Sequence, residues 1–151
     1  MRHKPELSLR GRALQYLARR EYSRTELRGK LLPHVQEDED LEAVLDDLAA
    51  RGWLSDERAT TQFVHAKRSR FGTQCIAHEL RQKGISESLI ADVLPQLKET
   101  ELEAARGVWQ RKFGTVPQDE KEKAKQVRFL QSRGFSMDAI FKVLRFDDEE
   151  G

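Results

Sequence analysis

One corner is written into this chain twice, fifty residues apart. Lys83-Gly84-Ile85-Ser86 follows Leu80 and precedes Leu89, Ile90, Val93 and Leu94. Arg133-Gly134-Phe135-Ser136 follows Leu130 and precedes Ala139, Ile140, Val143 and Leu144. A basic residue in a last helical turn, then glycine, then an apolar residue is the signature of a left-handed helix stop whose apolar residue packs back on the helix it has left. The serine caps the next helix. A two-helix corner used twice means tandem repeats of a helical unit.

The rest of the chain reads as helix in the same style, and no stretch alternates with a strand's period. Ala13, Leu14, Leu17 and Ala18 share one helical face, with Arg12, Arg19 and Arg20 opposite. Ser23 to Glu26 is a capping box opening a helix through Leu27 and Leu31 that stops near Pro33. Leu41, Val44, Leu45 and Leu48 mark a third helix ending at Gly52. A second unit opens at Ser55, passes Phe63, Val64 and Phe71 to Gly72, restarts with Thr73 as cap, turns at Gly84 and meets Pro95. A third starts with a box at Thr100–Glu103, carries Leu102, Ala105, Trp109 and Phe113, restarts with a box at Asp119–Glu122 and turns at Gly134. The expectation is an all-α tandem array of three three-helix, helix-turn-helix-like units, nine helices in all, elongated and curved. The units fall at residues 11–54, 55–97 and 98–146, between an N-terminal tail (1–10) and an acidic C-terminal tail (147–151) that should fray.

Function is bounded first by what is missing. No run approaches the roughly 18 apolar residues of a membrane span, the N-terminus lacks a signal peptide's apolar stretch, and the single Cys suits a reducing compartment. These features predict a cytoplasmic protein with no membrane partner. Cys75, His78 and His65 do not make a four-ligand metal set. Catalytic glycine or serine motifs are absent, and the carboxylates come in solvated runs such as Glu37–Asp40. The expectation is no enzyme, no cofactor and no metal.

Charge is the more informative signal. The net charge of +1 hides blocks of alternating sign: nine basic against three acidic residues over 1–34, then one against nine over 35–57, with the alternation repeated twice more. Such blocks either give a two-faced array with a basic stripe or neutralise one another in surface ion pairs. Candidate stripe residues are Arg19, Arg20, Arg24, Arg28 and Lys30 in the first unit, Lys67, Arg68, Arg70, Arg81 and Lys83 in the second, and Lys125 and Arg128 in the third. Arg58, Arg111, Lys112, Lys121, Lys123 and Arg133 extend the set. Sequence-specific DNA reading is disfavoured, because Asp46, Asp47 and Asp92 on the third helices would repel phosphate. Trp53, Trp109, Phe63 and Phe113 sit at core spacing and read as packing.

Taken together, these residues resemble the RecX family, regulators of the RecA recombinase. The resemblance rests on Leu17 with Tyr22-Ser23 to Leu27 and Lys30-Leu31, on Leu48 with Gly52-Trp53-Leu54-Ser55-Asp56, on Arg70-Phe71-Gly72 with Ile76, Glu79-Leu80 and Lys83-Gly84-Ile85, and on Phe129-Leu130 with Arg133-Gly134-Phe135 and Ile140. It covers residues 11–146. Trp53 and Ser55 stand where the family usually has Tyr and Asp, and Ala59 where an aromatic is common. The resemblance implies a protein that binds RecA–DNA filaments in their helical groove and limits filament growth, ATP hydrolysis, strand exchange and co-protease activity. Its partners would be the RecA nucleoprotein filament and, weakly and non-specifically, DNA, and the protein itself would be a monomer. The alternative is a non-specific DNA-binding helical protein that acts without RecA.

Overall fold

The computed structural model describes residues 7–150, with side chains described as far as Arg145. Eight α-helices follow one another: α1 (Leu9–Leu17), α2 (Arg24–Leu31), α3 (Leu41–Ala50), α4 (Asp56–Lys67), α5 (Thr73–Gln82), α6 (Glu87–Lys112), α7 (Glu120–Ser132) and α8 (Met137–Glu150). A 3-10 turn over Leu32–His34, carrying Pro33, ends α2. No strand occurs among the described residues. The helical chain separates into two compact bodies. One runs to Gln62 and includes Lys83–Ile85, and the other comprises Phe63–Gln82 and the chain from Ser86 onward.

Local chemistry explains most helix boundaries. Ser8, Ser23, Asp40, Ser86 and Asp119 each accept a hydrogen bond from a backbone N–H three residues on, and Ser23 and Glu26 complete a reciprocal capping box. Ser55 and Ser136 do the same for α4 and α8. The corner glycines Gly84 and Gly134 adopt φ of +76° and +88°, the left-handed stop their sequence demands. Beyond them Ile85 and Phe135 are buried.

Four expectations need correction. The described residues form eight α-helices where nine were expected, because α6 runs unbroken through Pro95 and Thr100. Proline removes one helical N–H bond. Here Pro95 and Ala91, whose carbonyl loses its partner, are both exposed, so water can replace the bond. The buried stripe of Ile90, Leu97, Ala105, Val108 and Trp109 holds the helix together on its other side. Second, Glu101, read as part of a capping box at Thr100, accepts instead from the Thr73 N–H (3.0 Å) and the Ser136 hydroxyl (3.2 Å). Thr73 is therefore the first residue of α5 rather than its cap, and its buried hydroxyl has no hydrogen-bond partner among the described residues. Third, Leu14 and Ala18 are exposed, and α1 buries Leu9 and Ala13 with Tyr16 and Leu17 beside them. The stretch 147–150, expected to fray, continues α8.

Each body has its own core. Leu9, Ala13, Leu27, Leu31, Leu45 and Leu48 pack together in the first, bordered by an edge-to-face pair of Tyr16 and Tyr22. In the second, Ala105, Trp109, Leu130, Phe135, Ile140 and Val143 pack between α6, α7 and α8. The indole N–H of Trp109 donates to Gln126 Oε1 at 2.8 Å, and the Gln126 amide donates to the Thr115 carbonyl at 3.1 Å. That pairing satisfies a glutamine buried in the middle of a basic helix.

The two repeated corners do the same job. In the first body, the Lys83 carbonyl accepts from the Ser23 hydroxyl at 2.6 Å, and Gly84 lies so close to Thr25 that a Cβ on it would collide. In the second body, the Arg133 carbonyl accepts from the Gly72 N–H at 2.7 Å, the Gly134 carbonyl from the Gln74 N–H at 3.3 Å, and Gly134 abuts Cys75. Tyr22-Ser23 and Phe71-Gly72 occupy equivalent places before α2 and α5, so each corner seats on the start of an equivalent helix. Gly72 is required for a reason of space, since a side chain there would strike the Gly134 carbonyl.

Gly72→Ala should therefore lower stability by about 2–3 kcal/mol through overpacking of backbone on backbone. Gly29→Ala, in α2 with nothing within 4 Å of the new methyl, should be neutral or stabilise by about 0.5–1 kcal/mol. Urea unfolding of the two variants compares them, and equal midpoints would show that the seat of the corner is loose.

Candidate interaction surface

The twelve candidate cations meet two different fates. In the first body most are matched by acid. Arg24 reaches Glu42 (2.9 Å) and Asp46 (2.6 Å), and Arg28 reaches Glu42 (2.6 Å). Arg20 lies over the Tyr22 ring at 3.6 Å and pairs with Glu26 at 2.9 Å, and Lys83 pairs with the same Glu26 oxygen at 2.9 Å. The acidic block over 35–57 thus pairs with Arg24 and Arg28 of the basic block before it. Arg19 and Lys30 are exposed and make no ion pair among the described residues. In the second body Arg81 pairs with Glu87 at 2.7 Å.

The remaining candidates are not neutralised. Lys67, Arg68, Arg70, Lys125 and Arg128 have no carboxylate within ion-pair distance among the described residues. Lys67 and Arg70 stand over the ring of Phe71 at 5.5 and 5.9 Å, and Arg133 stands over it at 5.3 Å. Arg133 also lies 5.1 Å from the ring of Phe129, which Lys112 faces at 5.2 Å. Four cations are thus strung along two phenyl rings, held by ring faces rather than by acids. Beside them Arg68 donates to Thr100 Oγ1 at 3.2 Å and Arg111 to the Ser69 carbonyl at 3.4 Å. These two arginines line an open groove of about 690 Å³ with His65, Glu103, Ala104 and Gly107.

This row of like charges repels itself, and an approaching anion relieves that repulsion. Sequence reading placed Lys67, Arg68 and Arg70 in the stripe. It ranked Arg133 and Lys112 below it because the signal that joins them is spatial: Phe71 and Phe129 lie 58 positions apart in the chain and share Arg133. Lys125 and Arg128 are exposed on α7. Trp53, read as packing, is 41% exposed and takes no part in either core, because it follows the Gly52 stop on the solvent side of the turn.

Elsewhere the chemistry is quiet. The Cys75 thiol is pushed up by burial and by Glu79, which leaves it a poor nucleophile, and His78 is taken up with Gln82 at 3.1 Å. Among the described residues no three potential ligand side chains converge on a metal position, and no helix is long and apolar enough to cross a membrane.

Helical units of this kind, set in tandem, define the class of protein. Family models for the first, second and third three-helix domains of RecX match residues 10–48, 55–94 and 99–144. Regulatory protein RecX of Leptothrix cholodnii is 51% identical over 148 residues, covering 98% of this chain and 94% of its own. The protein of the same name from Ralstonia pickettii is 42% identical, covering 95% and 90%. A crystal structure of regulatory protein RecX superposes with a TM-score of 0.75 at 25% identity, covering 89% of this chain and 70% of that one. RecX from Lactobacillus salivarius, at 21% identity and 93% and 94% coverage, has the same fold with a TM-score of 0.69. The chain belongs to the RecX family.

Glu26 gives a pH test of the first joint. Burial would raise its carboxyl, but Arg20, Lys83 and the Ser23 N–H outweigh burial and lower it from 4.5 to about 2. A folded-state value below the unfolded one stabilises fully above pH ~4.5, and that stability is lost as pH falls toward ~2. Glu26→Gln should cost about 1–2 kcal/mol at pH 7 and flatten the decline of stability between pH ~4.5 and ~2. Urea midpoints across that range check it. A wild-type decline that the variant fully retains would assign the acid sensitivity elsewhere.

Proposed function

We propose that this chain is a regulator, mainly an inhibitor, of the RecA recombinase. It binds RecA–DNA filaments in their helical groove and limits filament growth, ATP hydrolysis, strand exchange and co-protease activity. The observation that carries the reading is the row of Lys67, Arg70, Arg133 and Lys112, which has ring faces but no acid to answer it. Membership of a family whose relatives are called regulatory proteins supports it. A filament presents acidic protein surface and DNA phosphate in a regular helical series. Three similar domains could meet successive subunits, so that modest contacts gain strength through multivalency. Inhibition on this account needs no chemistry from the chain, only tighter binding to one filament state than to another. The protein would act in the cytoplasm, as a monomer and without cofactor.

Bare DNA also offers phosphate to the same cations, and the two partners separate by salt. Binding to DNA alone falls steeply with salt through counterion release, whereas filament binding keeps a salt-resistant part from protein contacts. Sedimentation with preformed RecA–single-stranded DNA filaments, with DNA alone as control, should show the chain pelleting with filaments at salt concentrations where DNA alone no longer retains it. Equal retention on both targets at every salt concentration would leave a plain DNA-binding protein.

A further inference from the structure

Among the described residues Trp53 is the most exposed aromatic, at 41% against 37% for Phe141. The chain has two tryptophans, and Trp109 is 4% exposed while Trp53 is 41% exposed. The backbone holds it there. Gly52 stops α3 at φ +77°, and Trp53 and Leu54 both donate to the Leu48 carbonyl, at 3.0 and 3.2 Å. Leu54 is buried while the indole before it faces out. Arg58 clamps the turn by donating to the Gly52 carbonyl at 2.6 Å. Unlike at Gly84 and Gly134, nothing among the described residues beyond its chain neighbours lies within 4 Å of where a Gly52 Cβ would be.

Two guanidiniums accompany the ring. Arg10 of α1 and Arg51 at the end of α3 each lie 5.3 Å from its centroid. Arg51 also pairs with Asp47, whereas Arg10 makes no ion pair among the described residues. An exposed indole with guanidiniums against it, on a rigid turn, combines a surface on which a base can stack with charges that can meet phosphate. An acidic peptide would use the arginines and leave the indole idle. Duplex DNA hides its base faces, so it too would use only the charges.

We infer that the Trp53 turn, with Arg10 and Arg51, is a stacking site for single-stranded nucleic acid. A base lies on the indole and the adjoining phosphates take the guanidinium of Arg10. This deepens the proposed function by assigning a strand contact to the first body, separate from the cation row of the second. The test needs no recombinase, so its outcome stands apart from that reading.

The full chain is titrated with an oligothymidylate, with an abasic oligonucleotide of the same length and charge, and with polyglutamate, while tryptophan emission and affinity are followed. Oligothymidylate should quench the exposed indole and bind more tightly than the abasic strand. Trp53→Ala should weaken oligothymidylate binding about ten-fold and bring it level with the abasic strand, whereas Trp53→Phe should keep most of the affinity. Arg10→Gln should lower the salt dependence by about one counterion. Circular dichroism of each variant should match the wild type, since these side chains are exposed. Equal affinity for thymidylate and abasic strands, or an unaffected Trp53→Ala variant, would overturn the stacking site. Tighter binding and quenching by polyglutamate would replace it with an acidic protein partner. Inhibition of RecA by the same variants, measured separately, tests the regulatory reading alone.

Discussion

Everything in this fold hangs on a glycine corner pressed against the first turn of a helix from the preceding repeat. At Gly134 the contact is backbone to backbone: the Arg133 and Gly134 carbonyls accept from Gly72 and Gln74, and neither Gly72 nor Gly134 has room for a methyl group. At Gly84 the partner is a side chain, with the Ser23 hydroxyl on the Lys83 carbonyl and Thr25 against the glycine. A short helical hairpin cannot bury its apolar stripe by itself. Seating each corner on its neighbour supplies the missing contact and orients a polar helix start at once. Such joints tolerate little change because they are set by van der Waals contact rather than by adjustable side chains.

The joints also decide which charges are left for partners. Lys83, at the first corner, is drawn to Glu26 and shares it with Arg20. Arg133, at the second, finds Cys75 where the first joint has Glu26. It turns to the rings of Phe71 and Phe129. One acid-to-thiol difference between equivalent positions leaves Lys83 ion-paired and Arg133 without an ion pair among the described residues. The same division appears on the helices: Glu42 and Asp46 quench Arg24 and Arg28, while Lys67, Arg70 and Lys112 keep their charge. Surface ion pairs contribute little to stability, so their effect here is chiefly to cancel cations on the surface of the first body.

The elements with local causes were legible in the sequence: the capping serines and aspartates, the left-handed glycines, and the apolar residues of Leu27, Leu45, Ile76 and Ile140 that occupy the cores. What was not legible depends on partners far along the chain. Pro95 and the Thr100 box imply a break, yet α6 continues because its buried side stays apolar and Glu101 is engaged by Thr73 and Ser136. Gly72 reads as a simple helix stop until Gly134 is seen against it. The candidate surface divided in the same way. Charge type and rough location were visible, but which cations are cancelled depends on pairings such as Arg24 with Glu42, 18 residues apart, and Lys83 with Glu26, 57 apart. Trp53 has the spacing of a core residue and the environment of a surface one.

The central claim is that regulation works through the uncompensated cations of the second body and not through basic residues in general. It is tested most directly by RecA ATP hydrolysis on single-stranded DNA, measured with two charge-reversed variants of this chain. One carries Glu at Lys67, Arg70 and Lys112, and the other carries Glu at Arg24 and Arg28. The account predicts that the first loses most of its inhibition while the second, whose cations are already paired with Glu42 and Asp46, keeps most of it. Equal loss in both variants, or loss in the second alone, would contradict it.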